Sequence, residues 1–560
     1  MNDIRLNMLG YVPGLPVDVV LLSGDGLEVL DESGKLVKRM DDYTLAFDKA
    51  SEDNVALVNL GELPEGKYIL KSGLSERTIT VKRDAYRDVT NALIKGLYYQ
   101  RCGCGLDKKH AGIYAHEACH TAPATDWEDR SIVKSVPGGW HDAGDYGKYV
   151  GPGAVTVAHM LYAYLLFPSG CSDDLNIPES GNGTPDILNE ARFELEWILK
   201  MQKDDGSFYH KLTTERFAPF VMPEEDKEPE YLIPASHCAT AAAVAVLALA
   251  SRIYKKFDRD FSDKALSSAL KGWEWLEKNP DFKPYIQPEG INTGTYGDWS
   301  DRDERFWAGC ELFASTGEEK YRKAAEDIYK EVKDPVAQEE RFRPFLERMK
   351  RYNPNFKVPI GLDVTQYGWM DVSGLGAICC LFVLKESAGS VLFNELRSDF
   401  LKKSSEILEL AKASGYGTAV AHDKYIWGSI LTVMGNAMTM IIDWLLTQNT
   451  EMRDYALIQL DYALGLNALD LSFVTGFGER RVMNPHHRPS GADGIDEPVP
   501  GLISGGPNKG MNFPGTKEAL KDAPPAKYFL DETPSADTNE IAIYWNSPAI
   551  FVAACFNSIK

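Results

Sequence analysis

Up to about residue 85 the chain alternates apolar and polar positions with period two in short runs: Val17–Leu22, Leu27–Leu30, Ala56–Leu60, Tyr68–Leu70 and Arg77–Lys82. Turn-forming clusters such as Ser23-Gly24-Asp25-Gly26, Glu32-Ser33-Gly34 and Pro64-Glu65-Gly66 separate them. Strands at this spacing predict a small all-β sandwich over residues 1–85. Beyond about residue 90 the period lengthens to 3.6. It predicts helices near 152–167, 184–203, 237–256, 262–278, 302–316, 318–332, 372–386, 394–413, 424–447, 451–464 and 539–557, with almost no strands. Gly, Pro and Asp gather in 101–150, 284–303 and 472–536. Loops this long are uncommon without a role. A closed ring of helix pairs over residues 90–560, with the long loops on one working face, accommodates the pattern, so the fold class is mainly α behind a β sandwich.

Composition changes this picture in three ways. The 60 Lys and Arg against 82 Asp and Glu give a net charge of −22, which repels phosphate backbones and anionic headgroups, so neither nucleic acid nor membrane is an expected partner. The most apolar stretch, Cys238–Ser251, is shorter than the roughly 20 residues that span a bilayer and reads as a buried core helix. None of the nine cysteines precedes Cys102, which makes the sandwich immunoglobulin-like without that fold's disulfide and argues against a disulfide framework along the chain. The opening MNDIRLNMLGYVPG has no basic segment followed by an apolar one. No signal peptide is expected there, and the location is secreted if one has been removed and otherwise cytoplasmic.

Three loops carry candidate chemistry. In Gly138–Tyr149, Asp142 and Asp145 stand three residues apart among small residues and aromatics, where both can point into one cleft and activate a water; capping the next helix or binding a cation is the plainer reading. In Asp531–Ala542, Glu540 precedes an apolar helix. It either complements the helix dipole or, kept protonated by burial and nearby carboxylates, serves as a general acid. In Asn484–Ser490, His486, His487 and Arg488 offer donors to hydroxyls or a clamp on a carboxylate.

Together these loops resemble glycoside hydrolase family 9. Ser472–Thr475 through Gly478, Arg480 and Pro485-His486-His487-Arg488 is similar to that family's histidine signature, and Asp531 through Glu540, Ala542, Asn546 and Ser547 to its Asp/Glu signature. Asp142-Ala143-Gly144-Asp145 is similar to its base loop, and IRLNMLGY to the immunoglobulin-like module of one branch. Ala536 stands where the family usually has an aromatic. The resemblance implies an (α/α)6 barrel and hydrolysis of β-1,4-glucans with inversion. Asp145 would be the base, Asp142 would help hold the water, Glu540 would be the acid, Asp531 would support it, and His486 and Arg488 would bind sugar. Inversion needs acid and base roughly 6.5–9.5 Å apart. Trp140 and Tyr146, with Trp299, Trp369, Trp427, Tyr544 and Trp545, are candidate sugar platforms. The expected partner is a β-glucan polymer or oligosaccharide, met by a monomer.

Two kinds of metal site are expected. Cys102-Gly103-Cys104 and His116-Glu117-Ala118-Cys119-His120 have spacings that a tetrahedral Zn²⁺ can use. The resemblance implies two Cys and two His: Cys102, Cys119, His120 and His141, with His116 and Cys104 in reserve. The acidic loops holding Glu179, Asn182 and Asp186, and Asp298, Asp301 and Asp303, suit Ca²⁺ without EF-hand spacing. The reading favoured throughout is an endo-β-1,4-glucanase. Its rivals are an exo-acting enzyme of the same mechanism, releasing cellobiose, glucose or glucosamine, and a non-catalytic carbohydrate-binding protein.

Overall fold

The computed structural model describes residues 3–334 and 362–559. Eight strands open it: β1 (Ile4–Arg5), β2 (Pro16–Leu21), β3 (Leu27–Asp31), β4 (Leu36–Met40), β5 (Ala46–Asp48), β6 (Asp53–Glu62), β7 (Gly66–Ser72) and β8 (Ser75–Val81). They form two antiparallel four-stranded sheets, ordered β1-β2-β6-β5 and β4-β3-β7-β8. Val17, Val19 and Leu21 of β2 face Leu27, Val29 and Leu70 across the sandwich, as period-two burial requires. Val20, on the opposite face of β2, is buried too. With Val55 it packs on Tyr416, Ile458 and Leu466 of the helical region, so both faces of this sheet are apolar. The sequence pattern had not shown β1, β4 or β5, which are short, and β4 is largely exposed.

The helical region is an α/α barrel. Its inner helices include Val150–Leu166, His237–Tyr254, Arg302–Thr316, Ser429–Thr447 and Ile543–Asn557. His237–Tyr254 packs against Val150–Leu166 and Arg302–Thr316, and Ile543–Asn557 against Val150–Leu166 and Ser429–Thr447. Helices buried all round are apolar all round. His237–Tyr254 and Ser429–Thr447 are long and apolar enough to cross a membrane, yet 89% and 67% of their apolar windows are buried in the barrel. The outer helices, such as Asp186–Lys200, Arg259–Lys278 and Thr450–Ala463, have one apolar face and cover the ring.

Several expectations change. A helix at Arg87–Tyr99 follows β8 directly; Gly96 blurs its periodicity, yet a Cβ there would lie 2.5 Å from the Gly501 carbonyl oxygen. The expected helix 372–386 is α-helical only over Ser373–Ile378 and then widens into a π turn at Cys379–Leu384. The helices expected at 424 and 539 begin at Ser429 and Ile543, which leaves Glu540 on extended backbone and removes the dipole reading of that residue. The helical region also holds a five-stranded sheet where almost no strands were expected: β9 (Ala124–Asp126), β10 (Val133–Lys134), β11 (Lys148–Tyr149), β12 (Tyr209–Thr213) and β13 (Tyr231–Ala235), ordered β10-β9-β13-β12-β11. Strands of two to five residues are too short to display a period.

Removing residues 3–83 uncovers Tyr416, Ile458 and Leu466, each worth roughly 1.5–3 kcal/mol when buried. The truncated protein is expected to melt several degrees lower and to aggregate. A melting curve unchanged by the deletion would show that the sandwich does not support the barrel.

Candidate active site

Four chain segments meet at one end of the barrel through backbone pairing. Ala143 bridges Ala542, His486 bridges Glu540, and Ser504 bridges Ile541. Gln100 ties them to the helix Arg87–Tyr99: its Nε2 donates to the carbonyls of His141 (3.1 Å) and Ala143 (3.0 Å), and its Oε1 lies 2.9 Å from His487 Nε2. The approach is close enough to demand glycine at 144, where a Cβ would sit 2.0 Å from the His486 carbonyl oxygen. Arg488 fastens the same corner, its Nη1 donating to Gly144 O (2.6 Å) and its Nε to Ala218 O (2.7 Å).

This corner places Asp145 and Glu540 on one groove of about 1050 Å³, with His486 and Arg488 beside them. Asp145 is 7% exposed, and its Oδ2 accepts from Gly147 N at 3.0 Å. Burial raises its pKa, while Arg488, the Gly147 N–H and Lys211 pull it down. Glu540 accepts from Trp427 Nε1 at 3.2 Å, and burial, with the charge of Asp145, pushes it up to about 8. Asp142 lies behind them and is fully buried. Its Oδ2 accepts from Tyr296 Oη at 2.5 Å and its Oδ1 has no protein partner. Burial and the neighbouring Asp145 hold it well above the ordinary carboxylate range. His486 bonds Thr533 O through Nδ1 (2.7 Å), which leaves Nε2 for a ligand. Two carboxyls on one groove, each with different donors and charges around it, can act as an acid and a base.

Trp299, Trp369, Trp427, Tyr544 and Trp545 line the groove. Trp140 and Tyr146 do not. Trp140 is a core residue whose Nε1 donates to Glu190 Oε1 (2.9 Å), and Tyr146 turns its hydroxyl to Val221 O (2.5 Å) and packs on His141. Asp531 does not touch Glu540 either: its two oxygens accept from Met483 N (2.8 Å) and Asn484 N (2.9 Å), so it shapes the approach to His486 instead of tuning the acid. Tyr296, Gln100 and Lys211 escaped the sequence reading. The unusual length of loop 284–303 was a signal for Tyr296, and the other two sit in a helical and a strand segment with nothing to mark them.

Of the six zinc candidates, four converge. Ligand atoms of Cys102, Cys119, His120 and His141 all lie within 4.8 Å of one another, and His141 Nε2 is buried without a partner. Two thiols and two imidazoles gathered this way fit a tetrahedral soft cation, with Asp226 behind His120 (3.4 Å). His116 instead bonds its own chain at Glu117 O. In the second acidic loop Cys238, Asp298 and Glu304 form another such group, and Asp298 Oδ2 and Glu304 Oε2 are buried without partners. Glu304 therefore joins Asp298 there, while Asp303 Oδ2 accepts from Val372 N (2.9 Å). Asp301 turns to Arg305 (2.5 Å). The Glu179 loop differs from expectation. Glu179 pairs with both outer nitrogens of Arg101, Asn182 with Asn189, and Asp186 Oδ2 with Leu175 N and Ser180 Oγ, so these ligands are spent within the protein and only Asp186 Oδ1 stays buried without a partner among the described residues of that loop.

The profile described as glycosyl hydrolase family 9 matches residues 86–553. A cellodextrinase of Butyrivibrio fibrisolvens is 36% identical over 98% of this chain and 99% of its own length. A single-mutant thermostable endoglucanase of Alicyclobacillus acidocaldarius superposes with a TM-score of 0.87 at 32% identity, covering 100% of both chains. A zinc-binding triple mutant of a family 9 endoglucanase does so with a TM-score of 0.84 at 30% identity, covering 98% of this chain and 99% of its own.

Replacing Gly144 by Ala must displace the His486 backbone. Turnover is expected to fall about a hundredfold with the fold retained, since displacements near 1 Å cost that much in a positioned site. Steady-state kinetics beside far-ultraviolet circular dichroism checks it, and full activity would show the close approach to be dispensable.

Proposed function

The chain belongs to glycosyl hydrolase family 9, and from that premise we propose that this glycoside hydrolase is an inverting endo-β-1,4-glucanase with Asp145 as general base and Glu540 as general acid. The observation that carries this reading is the placement of these two carboxyls on one aromatic-lined groove. Glu540, pushed up to about 8, holds its proton at neutral pH, while Arg488 and Lys211 favour the ionised form of Asp145. Asp145 takes a proton from a water whose oxygen attacks the anomeric carbon. Glu540 gives its proton to the departing glycosidic oxygen, and the new C–O bond forms on the face opposite the broken one. Asp142, fixed by Tyr296, offers its unpartnered oxygen to orient that water. His486 Nε2, left as an acceptor while Nδ1–H donates to Thr533 O, takes a hydrogen bond from a sugar hydroxyl, and the aromatic rings cover the sugar's apolar faces.

The relative named a cellodextrinase favours a second reading, in which the same machinery acts on short soluble chains. Viscosity against reducing-end release on carboxymethyl cellulose separates the two. A steep early fall in viscosity supports internal cleavage, and reducing ends without it support the short-chain reading. Glu540→Gln is expected to lose at least about a thousandfold in kcat with ligand affinity kept. Because the acid works protonated, kcat/KM should fall as pH rises through about 8. A Glu540→Gln protein that turns over normally would remove the assignment.

We further propose that Cys102, Cys119, His120 and His141 hold a structural zinc and that Asp298 and Glu304, whose Oδ2 and Oε2 are buried without partners, hold calcium with Asp303 beside them. Such ions neutralise buried ligand charge and brace the loops around them. His141 precedes Asp142, so zinc would stiffen the base loop. Metal analysis is expected to give about one zinc per chain, and Cys119→Ser to lose it and melt several degrees lower. Zinc content unchanged in that variant would exclude the site.

A further inference from the structure

Lys211 is fully buried on β12, and its ammonium is held by three neutral oxygens: Gln287 Oε1 (2.9 Å), Thr293 Oγ1 (3.0 Å) and Gly294 O (2.6 Å). No carboxylate lies within ion-pairing distance of it among the described residues, so its charge is not neutralised at contact range. A buried unpaired charge is costly and calls for a compensating field.

That field comes from the base. In the β11–β12 pairing Lys211 stands opposite Tyr149, whose ring centroid lies 5.4 Å from the ammonium. The Tyr149 hydroxyl and Asp145 Oδ2 both lie 2.8 Å from the point where a Cβ on Gly147 would be, so the two are neighbours. Gly294, whose carbonyl accepts from Lys211, has its own Cβ point 3.0 Å from the same hydroxyl. Lys211, Gly294, Tyr149 and Asp145 therefore follow one another from the buried strand to the groove wall. Lys211 and Asp145 each favour the other's charged form.

We propose that Lys211 is a positioning residue for the reaction, a fixed cation beneath the base loop that keeps Asp145 in the form able to take a proton from water. The proposal rests on Asp145 being the base. The other charged or titratable groups around Asp145 are Arg488, Glu540, Asp142 and Tyr149. A small cavity on its far side adds His120, Tyr146, Asp226 and Glu230. Arg488 lines the groove, within reach of substrate, whereas Lys211 does not. Its influence should therefore appear in the ionisation of the base and leave sugar binding alone. Burial brings Lys211 down to about 7, so the cation is present on the acidic side of neutrality.

The test is the pH dependence of kcat/KM on cellotetraose for the full chain and for Lys211→Met, Lys211→Gln, Lys211→Arg and Asp145→Asn. Removing a positive charge raises a carboxyl pKa, so the acidic limb of the Met and Gln variants should move up by about one pH unit. At a pH well below the limb this is about a tenfold loss, recovered on the plateau, with KM unchanged. The Arg variant, which keeps the charge, should keep the wild-type limb. If Lys211→Met fails to fold, Lys211→Gln, which retains hydrogen bonding to the same oxygens, carries the comparison. An unmoved limb in the neutral variants, or an Arg variant shifted as far as they are, would overturn the proposal and leave Lys211 a structural pillar. An active Asp145→Asn enzyme would instead overturn the base assignment itself. Inactivity of that variant beside unmoved limbs overturns only the role of Lys211.

Discussion

Three carboxyls crowded into one poorly hydrated corner are the constraint around which this end of the barrel is arranged. Asp142, Asp145 and Glu540 repel one another when ionised, and burial penalises each charge further. The corner is stable because each carboxyl is treated differently. Asp142 receives the Tyr296 hydroxyl, Asp145 the Gly147 N–H with Arg488 and Lys211 nearby, and Glu540 the Trp427 indole N–H. Unequal treatment is also what lets one group keep a proton that another can give up. The electrostatic problem and the catalytic solution are therefore the same arrangement.

Such an arrangement requires loops that do not drift. The chain meets this with backbone pairing between the base and acid segments, with Gln100 reaching three loop groups from a helix, and with Asp531 gripping the backbone before His486. The barrel supplies rigidity underneath, since its inner helices are mostly buried, His237–Tyr254 over 89% of its apolar window. The two candidate cation clusters flank the corner. One follows the helix that carries Gln100 and includes the residue before Asp142; the other follows Tyr296 by two residues. Fixed points at both ends of the loop system leave the carboxyls little freedom between them.

Much of this was legible in the sequence where a residue type is itself the signal. Carboxylates, histidines and cysteines in Gly-rich loops can be read one by one, and His486, Arg488, Asp145 and Glu540 do line one groove. Aromatics read less well. Trp140 and Tyr146 sit among the catalytic residues in sequence but turn away from the groove, Trp140 to Glu190 and Tyr146 to Val221 O, partners distant in sequence. Ligand spacing in the Glu179 loop suggested a cation, yet Arg101, distant in sequence, satisfies that carboxylate. Pairings between far-apart segments leave no local trace. For the same reason the five-stranded sheet, and Lys211 on it, had no signal at all.

The sandwich shows the same principle at the scale of domains. Six consecutive buried residues in β2 would be an oddity in an isolated sandwich, whose outer faces meet water. They make sense because one sheet face is covered by Tyr416, Ile458 and Leu466, and because Asn7 donates to the buried Asp461 of the barrel (2.6 Å). Burial raises Asp461 well above the ordinary carboxylate range, and the Asn7 and Tyr86 donors oppose that rise. A module whose removal strips both apolar cover and a hydrogen-bond donor from its neighbour is part of that neighbour's core. The two regions, distinct in pattern along the chain, are therefore joined by a shared buried interface.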